Sequence, residues 1–273
     1  MPDLSPLLLP GLLLAAASVV AGLLAGLLGV GGGIVIVPML FWLLTSLDLP
    51  PDLVMHIAVA TSLVTIIPTS LSSSASHRRR GNVDSALLGL WGPGVLVGAA
   101  LGGFSAKIID GVVLSGIFGV IALLISLNMV TSRSIRVADT PPASALVNRF
   151  IAAVVGFFSA LMGIGGGTLS VPILTAYGFP ILKAVGTASA FGLLIAVPAV
   201  AGFIWAGWGI ADLPFGSLGY VNLPAALLIS PITVVMAPIG ARIASSINQR
   251  ALRLCFAVFL AITAVRMLMQ IIG

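Results

Sequence analysis

The sequence predicts an all-α integral membrane protein built from two inverted-topology repeats, and three observations predict it. The chain of 273 residues is 59% hydrophobic, while only 7% of its residues are Asp, Glu, Lys or Arg. Its apolar residues form runs that are long enough to be membrane helices. A glycine-rich motif occurs once in each half of the chain.

The scarcity of charge excludes several classes of protein. An ordinary soluble domain has about 25% charged residues, and a soluble fold cannot cover its surface with so few. The composition therefore argues against a cytosolic enzyme, a nucleic-acid-binding protein and a disordered protein. The net charge of +5 is attributed to basic residues that orient the chain in a membrane. The single cysteine, Cys255, leaves no pair for a disulfide or a CxxC site. We expect no nucleic-acid partner, cofactor or metal.

The first uncharged run, residues 7–47, is too long for one crossing of roughly 20 residues. It is interrupted by the glycines between 29 and 33, so that 7–28 is long enough to cross and 34–46 is about half as long as needed. We predict helices for the other runs as well, because a backbone in lipid must satisfy its own hydrogen bonds. These runs cover 54–73, 86–106, 111–132, 147–163, 168–178, 184–206, 223–243 and 251–272. The prediction is eight long transmembrane helices plus two short half-helices, 34–46 and 168–178, after glycine-rich breaks.

An internal repeat organises these helices. The stretch Gly22–Leu40 aligns without gaps with Gly156–Leu174. Both stretches contain a glycine triplet, and a proline follows each triplet at the same distance, as Pro38 and Pro172. Such self-similarity indicates duplication. The predicted units are an N-terminal membrane repeat over 1–133, a cytoplasmic linker over 134–145 and a C-terminal membrane repeat over 146–273.

The distribution of cations decides how many elements each repeat contains. If Arg78–Arg80 lie in the cytoplasm, five elements per repeat place seven further cations on the same side, while Lys107 disagrees. The seven are Arg133, Arg136, Arg149, Lys183, Arg242, Arg250 and Arg253. Four elements per repeat would place Arg242, Arg250 and Arg253 outside, against the positive-inside rule. An odd number makes the two repeats antiparallel, as in many secondary transporters. An aromatic belt is predicted at the outer ends, formed by Trp42, Trp205, Trp208 and Tyr220.

A Gly-x-Gly-Gly-Gly motif followed by Val-Pro, present at 29–38 and again at 163–172, resembles the sulfite exporter TauE/SafE family. The segments Ala58–Ser62 and Ala184–Ala188 fit the same pattern. The resemblance covers essentially the whole chain, including its length and its duplication. It implies a transporter in the bacterial cytoplasmic (inner) membrane for a small sulfur-containing or carboxylated anion, such as sulfite or an organosulfonate. It does not choose among these substrates.

The glycine triplets are the first candidates for substrate binding. Each precedes a short helix, whose free N–H groups and positive dipole end favour an anion. Two antiparallel repeats would bring both N-termini together near the middle of the membrane. The candidate residues are Gly31, Gly32, Gly33, Gly165, Gly166 and Gly167. The alternative is that these glycines only allow helices to pack closely.

Hydroxyl side chains and one arginine complete the predicted site. Thr61, Ser62, Thr187 and Ser189 lie early in the helix after each half-helix and would donate hydrogen bonds to a substrate oxygen. The alternative is a hydroxyl bonded to its own helix. Arg266 is the only basic residue well inside a predicted long helix, so it is a candidate for anion attraction. The alternative is that Arg266 extends outward to the membrane surface.

The mode of transport stays open at this stage. No predicted helix centre contains a carboxylate, so coupling would use the substrate's own proton, His56 or another ion. Downhill export driven by the membrane potential is equally consistent. The leading hypothesis is a secondary transporter that alternates access around the paired half-helices. The rivals are an anion channel and a membrane-embedded enzyme or assembly subunit, although HExxH, nucleophile-elbow and P-loop motifs are lacking. The sequence leaves open whether the chain forms a homo-oligomer.

Overall fold

A computed structural model of the chain describes residues 5–28, 32–131, 137–138, 140–243 and 249–272. Over these residues the protein forms ten helices and one very short hairpin. The helices are α1 (Ser5–Leu28), α2 (Gly33–Ser46), α3 (Pro51–Arg79), α4 (Ser85–Ser105), α5 (Gly111–Thr131), α6 (Ala145–Leu161), α7 (Gly167–Ala176), α8 (Ile181–Ala206), α9 (Leu223–Ile243) and α10 (Gln249–Ile272). Each predicted apolar run corresponds to one helix. The predicted class, an all-α membrane protein, is confirmed.

The helices differ in whether they can span a membrane. Within the described residues, five are long and apolar enough to cross, namely α3, α4, α5, α8 and α9. The predicted half-helices α2 and α7 contain only 14 and 10 residues. At about 1.5 Å per residue they are about 21 Å and 15 Å long, against about 30 Å for the hydrocarbon core. The count of eight crossings stays a prediction.

Helix starts follow from local chemistry. The helix α3 begins with Pro51, whose fixed φ suits the first position of a helix, and α8 begins directly after Pro180. The Asp84 carboxylate accepts a hydrogen bond from the Leu87 N–H at 3.0 Å and caps α4. Ser144 caps α6 in the same way. These caps satisfy N–H groups that have no acceptor inside the helix.

Helices from the two halves of the chain pack against one another. The helix α4 contacts α6 and α8, α1 contacts α9, α5 contacts α10, and α3 contacts α8. Three glycines on one face of α4 bring it against the backbone of α6, namely Gly94, Gly98 and Gly102. A methyl group at Gly98 would overlap the carbonyl oxygen of Ala153. These glycines therefore serve close packing, as small residues often do in membrane helices.

A hairpin between α8 and α9 was not predicted from the sequence. Its strands are β1 (Ser217–Leu218) and β2 (Val221–Asn222), which pair antiparallel, and β2 contacts α3. Gly219 in the turn has φ of +53°, a value that glycine adopts readily. The hairpin buries Tyr220, which is only 7% exposed. The prediction that Tyr220 belongs to an aromatic belt is therefore wrong, because the hairpin folds back onto α3. Trp205 and Trp208 are exposed.

Candidate anion-binding site

The two glycine-rich breaks lie in direct contact. Gly33, the first residue of α2, packs against Gly163 and Ile164 of the second break. A methyl group at Gly33 would overlap the Gly163 carbonyl oxygen and lie 2.9 Å from the Ile164 Cα atom. The Ser62 hydroxyl donates a hydrogen bond to the same carbonyl at 2.8 Å. Gly31 lies outside the described residues.

The glycines of the second break have different reasons to be glycine. Gly163 has φ of +62°, and a methyl group there would lie 2.9 Å from the Val59 Cα atom. A methyl group at Gly166 would overlap the Ala188 carbonyl oxygen. At Gly165 the nearest atom would be the Ile66 Cγ2, at an ordinary contact distance of 3.7 Å. Packing therefore explains Gly163 and Gly166 but not Gly165.

A cavity of about 490 Å³ opens beside these breaks. Glycine backbone from both breaks lines it, at Gly32 and at Gly165–Gly167. Eight hydroxyl side chains also line it: Thr65, Thr69, Ser70, Ser72, Ser73, Ser76, Ser189 and Thr233. Hydroxyl groups therefore surround the space next to the N-terminus of α7, where helix N–H groups lack acceptors within the helix.

The charges around the cavity favour an anion. The lining residues His77 and Arg80 lie at the end of α3, and Arg80 is exposed there. None of the described residues that line the cavity is an Asp, and the chain contains no Glu. The Nδ1 atom of His77 is buried and has no hydrogen-bond partner within the described part of the chain. The cavity thus extends from the glycine breaks to a cationic end of α3.

The hydroxyls of the cavity fall into two groups. In the first group the O–H donates to the backbone of its own helix, as Ser189 does to the Gly186 carbonyl oxygen at 2.6 Å and Thr65 to that of Ser62 at 2.7 Å. Such a hydroxyl presents its oxygen lone pairs rather than its proton. In the second group, Ser70, Ser72, Ser73 and Ser76 donate no hydrogen bond to any of the described residues. The serines of α3 are therefore the hydroxyl donors that remain available.

A family model for the sulfite exporter TauE/SafE family matches residues 14–267. The chain belongs to this family. A probable membrane transporter protein of Haemophilus influenzae is 33% identical over 250 residues, which is 92% of this chain and 95% of the relative. A second, from Methanocaldococcus jannaschii, is 27% identical over 270 residues and 96% of both chains. No solved structure matches the chain. The family and these relatives are membrane transporters and not enzymes, so the chain is a membrane transporter.

In this TauE/SafE transporter, the two predicted threonines lie away from the cavity. Both are fully buried, and neither lines it. Thr61 accepts a hydrogen bond from the Asn222 N–H at 3.0 Å, and Thr187 accepts one from the Asp84 N–H at 2.9 Å. Asn222 caps α9 through a bond from the Ala225 N–H to its side-chain oxygen. Both threonines therefore hold helix caps in place.

Of the other predicted site residues, the structure brings only some together. Gly32, Gly165–Gly167 and Ser189 line one cavity, while Gly33 and Ser62 support the breaks beside it. Arg266 is exposed on α10 and does not line the cavity. No group of three or more His, Cys or Asp side chains that could hold a metal occurs within the described ranges.

Sequence reasoning missed the polar face of α3. Thr69, Ser73, Ser76 and Arg80 follow one another at intervals of three or four residues and line the cavity together. This spacing places side chains on one face of a helix. The signal was present as a polar run in an otherwise apolar helix, but Arg78–Arg80 were interpreted only as determinants of orientation.

Proposed function

We propose that this protein is a secondary transporter that exports a small sulfur-containing or organic anion, such as sulfite or an organosulfonate, across the bacterial inner membrane. The observation that carries the proposal is the cavity where the glycine breaks, the serines of α3 and Arg80 converge without a carboxylate. Backbone N–H and hydroxyl donors suit the oxygens of a sulfite or sulfonate group. Surrounding membrane lipid completes the expected partners.

The size of the cavity supports a small substrate. Its volume of about 490 Å³ falls in the range of about 300–1,000 Å³ that is usual for small-molecule sites. A sulfite ion would occupy only part of this space, which leaves room for the organic portion of an organosulfonate. Apolar lining residues are available for that portion, including Ile36, Ile66 and Val234.

Alternating access between two inverted repeats is the mechanism that we propose. The repeats would be 1–133 and 146–273, with eight crossings and the half-helices α2 and α7 at their centre. The proposal is supported by the packing of α1 on α9 and of α4 on α6, which pairs first and fourth elements of opposite repeats. The cavity reaches the Arg80 end of α3, whereas the hairpin contacts α3 beyond the breaks. This conformation would be open toward the cytoplasm.

Flux measurements in proteoliposomes test the proposal. Sulfite, sulfoacetate, thiosulfate, sulfate and short carboxylates would be compared, with and without a pH gradient. Saturable transport of one anion class, together with counterflow, is the expected result. Large unitary currents would instead establish an anion channel, and absence of flux and binding for the whole panel would overturn both functions.

A further inference from the structure

The imidazole of His56 lies buried near the start of α3, far along the helix from Arg80. Its side chain is only 3% exposed. Sequence reasoning left it open as a carrier of coupling. The structure encloses it between α3, the α4–α5 turn, α8 and the hairpin.

Three backbone carbonyl oxygens surround the two ring nitrogens of His56. The Nδ1 atom is 2.9 Å from the Asp52 carbonyl oxygen. The Nε2 atom is 3.1 Å from that of Ala106 and 2.9 Å from that of Ile109. A neutral imidazole has one N–H and one lone pair, so one nitrogen would face a carbonyl oxygen without a proton between them. Only the imidazolium form donates a hydrogen bond from both nitrogens.

The Tyr220 ring beside His56 also suits a cation. It is stacked on the imidazole with centroids 4.5 Å apart, while the planes of the Phe203 ring and the imidazole lie at 60° with centroids 6.3 Å apart. A cation over an aromatic face is attracted by the ring electrons. The geometry therefore provides both hydrogen-bond acceptors and a π face for a positively charged ring.

Few charged or titratable groups flank this position in the described structure. Asp52 lies on α3 itself, and Lys107 and Asp110 lie in the α4–α5 turn. The Lys107 ammonium is directed over the Trp205 ring of α8 at 4.3 Å. On the hairpin, burial and then the Asp52 carboxylate raise the pKa of Tyr220, which keeps the phenol neutral.

His56 connects the hairpin to the helix that carries the site. Its stacking partner Tyr220 lies between the two strands, and the Asn222 N–H bonds to Thr61 on the next turns of α3. Ser62, the residue after Thr61, bonds to the second glycine break. Loss of a proton from His56 would leave the Tyr220 ring stacked on a neutral ring instead of a cation, and so weaken the hold on the hairpin.

We propose that His56 is a proton-binding site and that its ring is the doubly protonated imidazolium in this conformation. Release of this proton to the outer aqueous phase frees the hairpin to open. The proposal deepens the proposed function, on which it rests, by naming the proton as the ion that regulates or couples transport. When the His56 imidazolium is deprotonated, one ring N–H bond breaks and the proton goes to water. The neutral ring keeps a single N–H.

Histidine NMR tests the protonation directly. The chain has two histidines, so spectra of protein in lipid nanodiscs with ¹⁵N-labelled histidine, compared with His56→Gln, assign the His56 signals. We expect both His56 nitrogens to be protonated at the acidic end of the range between about pH 5 and 8. Raising the pH should convert them to one neutral tautomer while amide exchange in the hairpin accelerates beyond the intrinsic effect of pH. A neutral ring over the whole range would overturn the proposal.

Counterflow assays test the functional consequence. In the wild type, transport should depend on the pH of the outer side, and His56→Gln should flatten this dependence to within about twofold over the histidine range. Asp212→Asn, an exposed change outside the site, should keep the dependence. If His56→Gln does not fold, Tyr220→Leu replaces it. If the rate of transport does not depend on the pH of the outer side, the proton site is rejected while the proposed function stays intact. If amide exchange in the hairpin depends on pH as expected but no anion is transported, the proposed function is rejected instead.

Discussion

The hydroxyl oxygen of Thr61 accepts a hydrogen bond from the backbone N–H of Asn222 at 3.0 Å. The matching position in the other half, Thr187, accepts one from the Asp84 N–H at 2.9 Å. Asn222 and Asp84 are the residues whose side chains accept from the first turns of α9 and α4. Each threonine of a third element thus holds the cap of the fourth element in the opposite half, which is the exchange expected of two inverted repeats.

Replacing Thr61 or Thr187 by valine should lower stability rather than affinity. Each change leaves a backbone N–H without its acceptor, which costs about 1–3 kcal/mol when the group is buried. Thermal unfolding in detergent should show the loss, and the serine variants, which keep the hydroxyl, should show much less. A raised KM with unchanged stability would instead support the direct substrate contact that sequence reasoning predicted.

Gly166→Ala and Gly165→Ala form a matched pair at the second break. The added methyl group at 166 would overlap the Ala188 carbonyl oxygen, whereas at 165 it would lie 3.7 Å from the Ile66 Cγ2 atom. We expect Gly166→Ala to destabilise the protein by about 1–3 kcal/mol, as overpacking usually does. Gly165→Ala should fold normally and reduce anion affinity, because its methyl group enters the cavity. Equal unfolding temperatures for the two variants would contradict this assignment.

Arg80→Gln and Arg78→Gln separate anion attraction from membrane orientation. Both arginines are exposed, but only Arg80 lines the cavity. Removing the cavity cation should raise the KM for the transported anion by about tenfold at low ionic strength, because a local cation concentrates anions at a cleft. The effect should shrink in salt. Arg78→Gln should leave KM unchanged, and similar KM values for both variants would reject the role of Arg80.

Alkaline destabilisation should depend on Tyr220. Burial, followed by the Asp52 carboxylate, raises the pKa of Tyr220 above its usual value of 10.0. Because the folded protein favours the neutral phenol, this contribution is fully present below the unfolded pKa of about 10 and is lost as pH rises through the folded pKa. When unfolding is measured at a pH above the unfolded pKa of about 10, the Tyr220→Phe variant should lose less stability than the wild type. Tyr177→Phe serves as the control and should lose stability as steeply as the wild type.

Sequence reasoning located the helices and the breaks because both depend on local properties. The run 7–47 exceeds one membrane crossing, and a cluster of four glycines between residues 29 and 33 would be costly to hold in a continuous helix. The structure begins α2 at Gly33 and α7 at Gly167, next to the predicted starts. The contact of Gly33 with Gly163 follows the expectation that the two breaks meet.

The partners of individual side chains could not be predicted in the same way. Thr61 and Asn222 are 161 residues apart, and nothing in either local sequence indicates that they bond. The burial of Tyr220 depends on a hairpin of two-residue strands, which is too short to leave an alternating pattern. The serines of α3 that could donate to a substrate became evident only when the structure showed which face of that helix lines the cavity.

By itself, the sequence determined that this protein is an all-α membrane protein, because hydrophobicity is a property of the chain. Its repetition and its charge pattern predict, in addition, a duplication and a gathering of the few cations toward one side. The tertiary structure alone decided which polar groups are free to act. It bonds Thr61 and Thr187 to helix caps, leaves Ser70, Ser73 and Ser76 in the cavity, and encloses His56 among three carbonyl oxygens. A buried polar group must find a partner, and packing across the whole chain decides which partner that is.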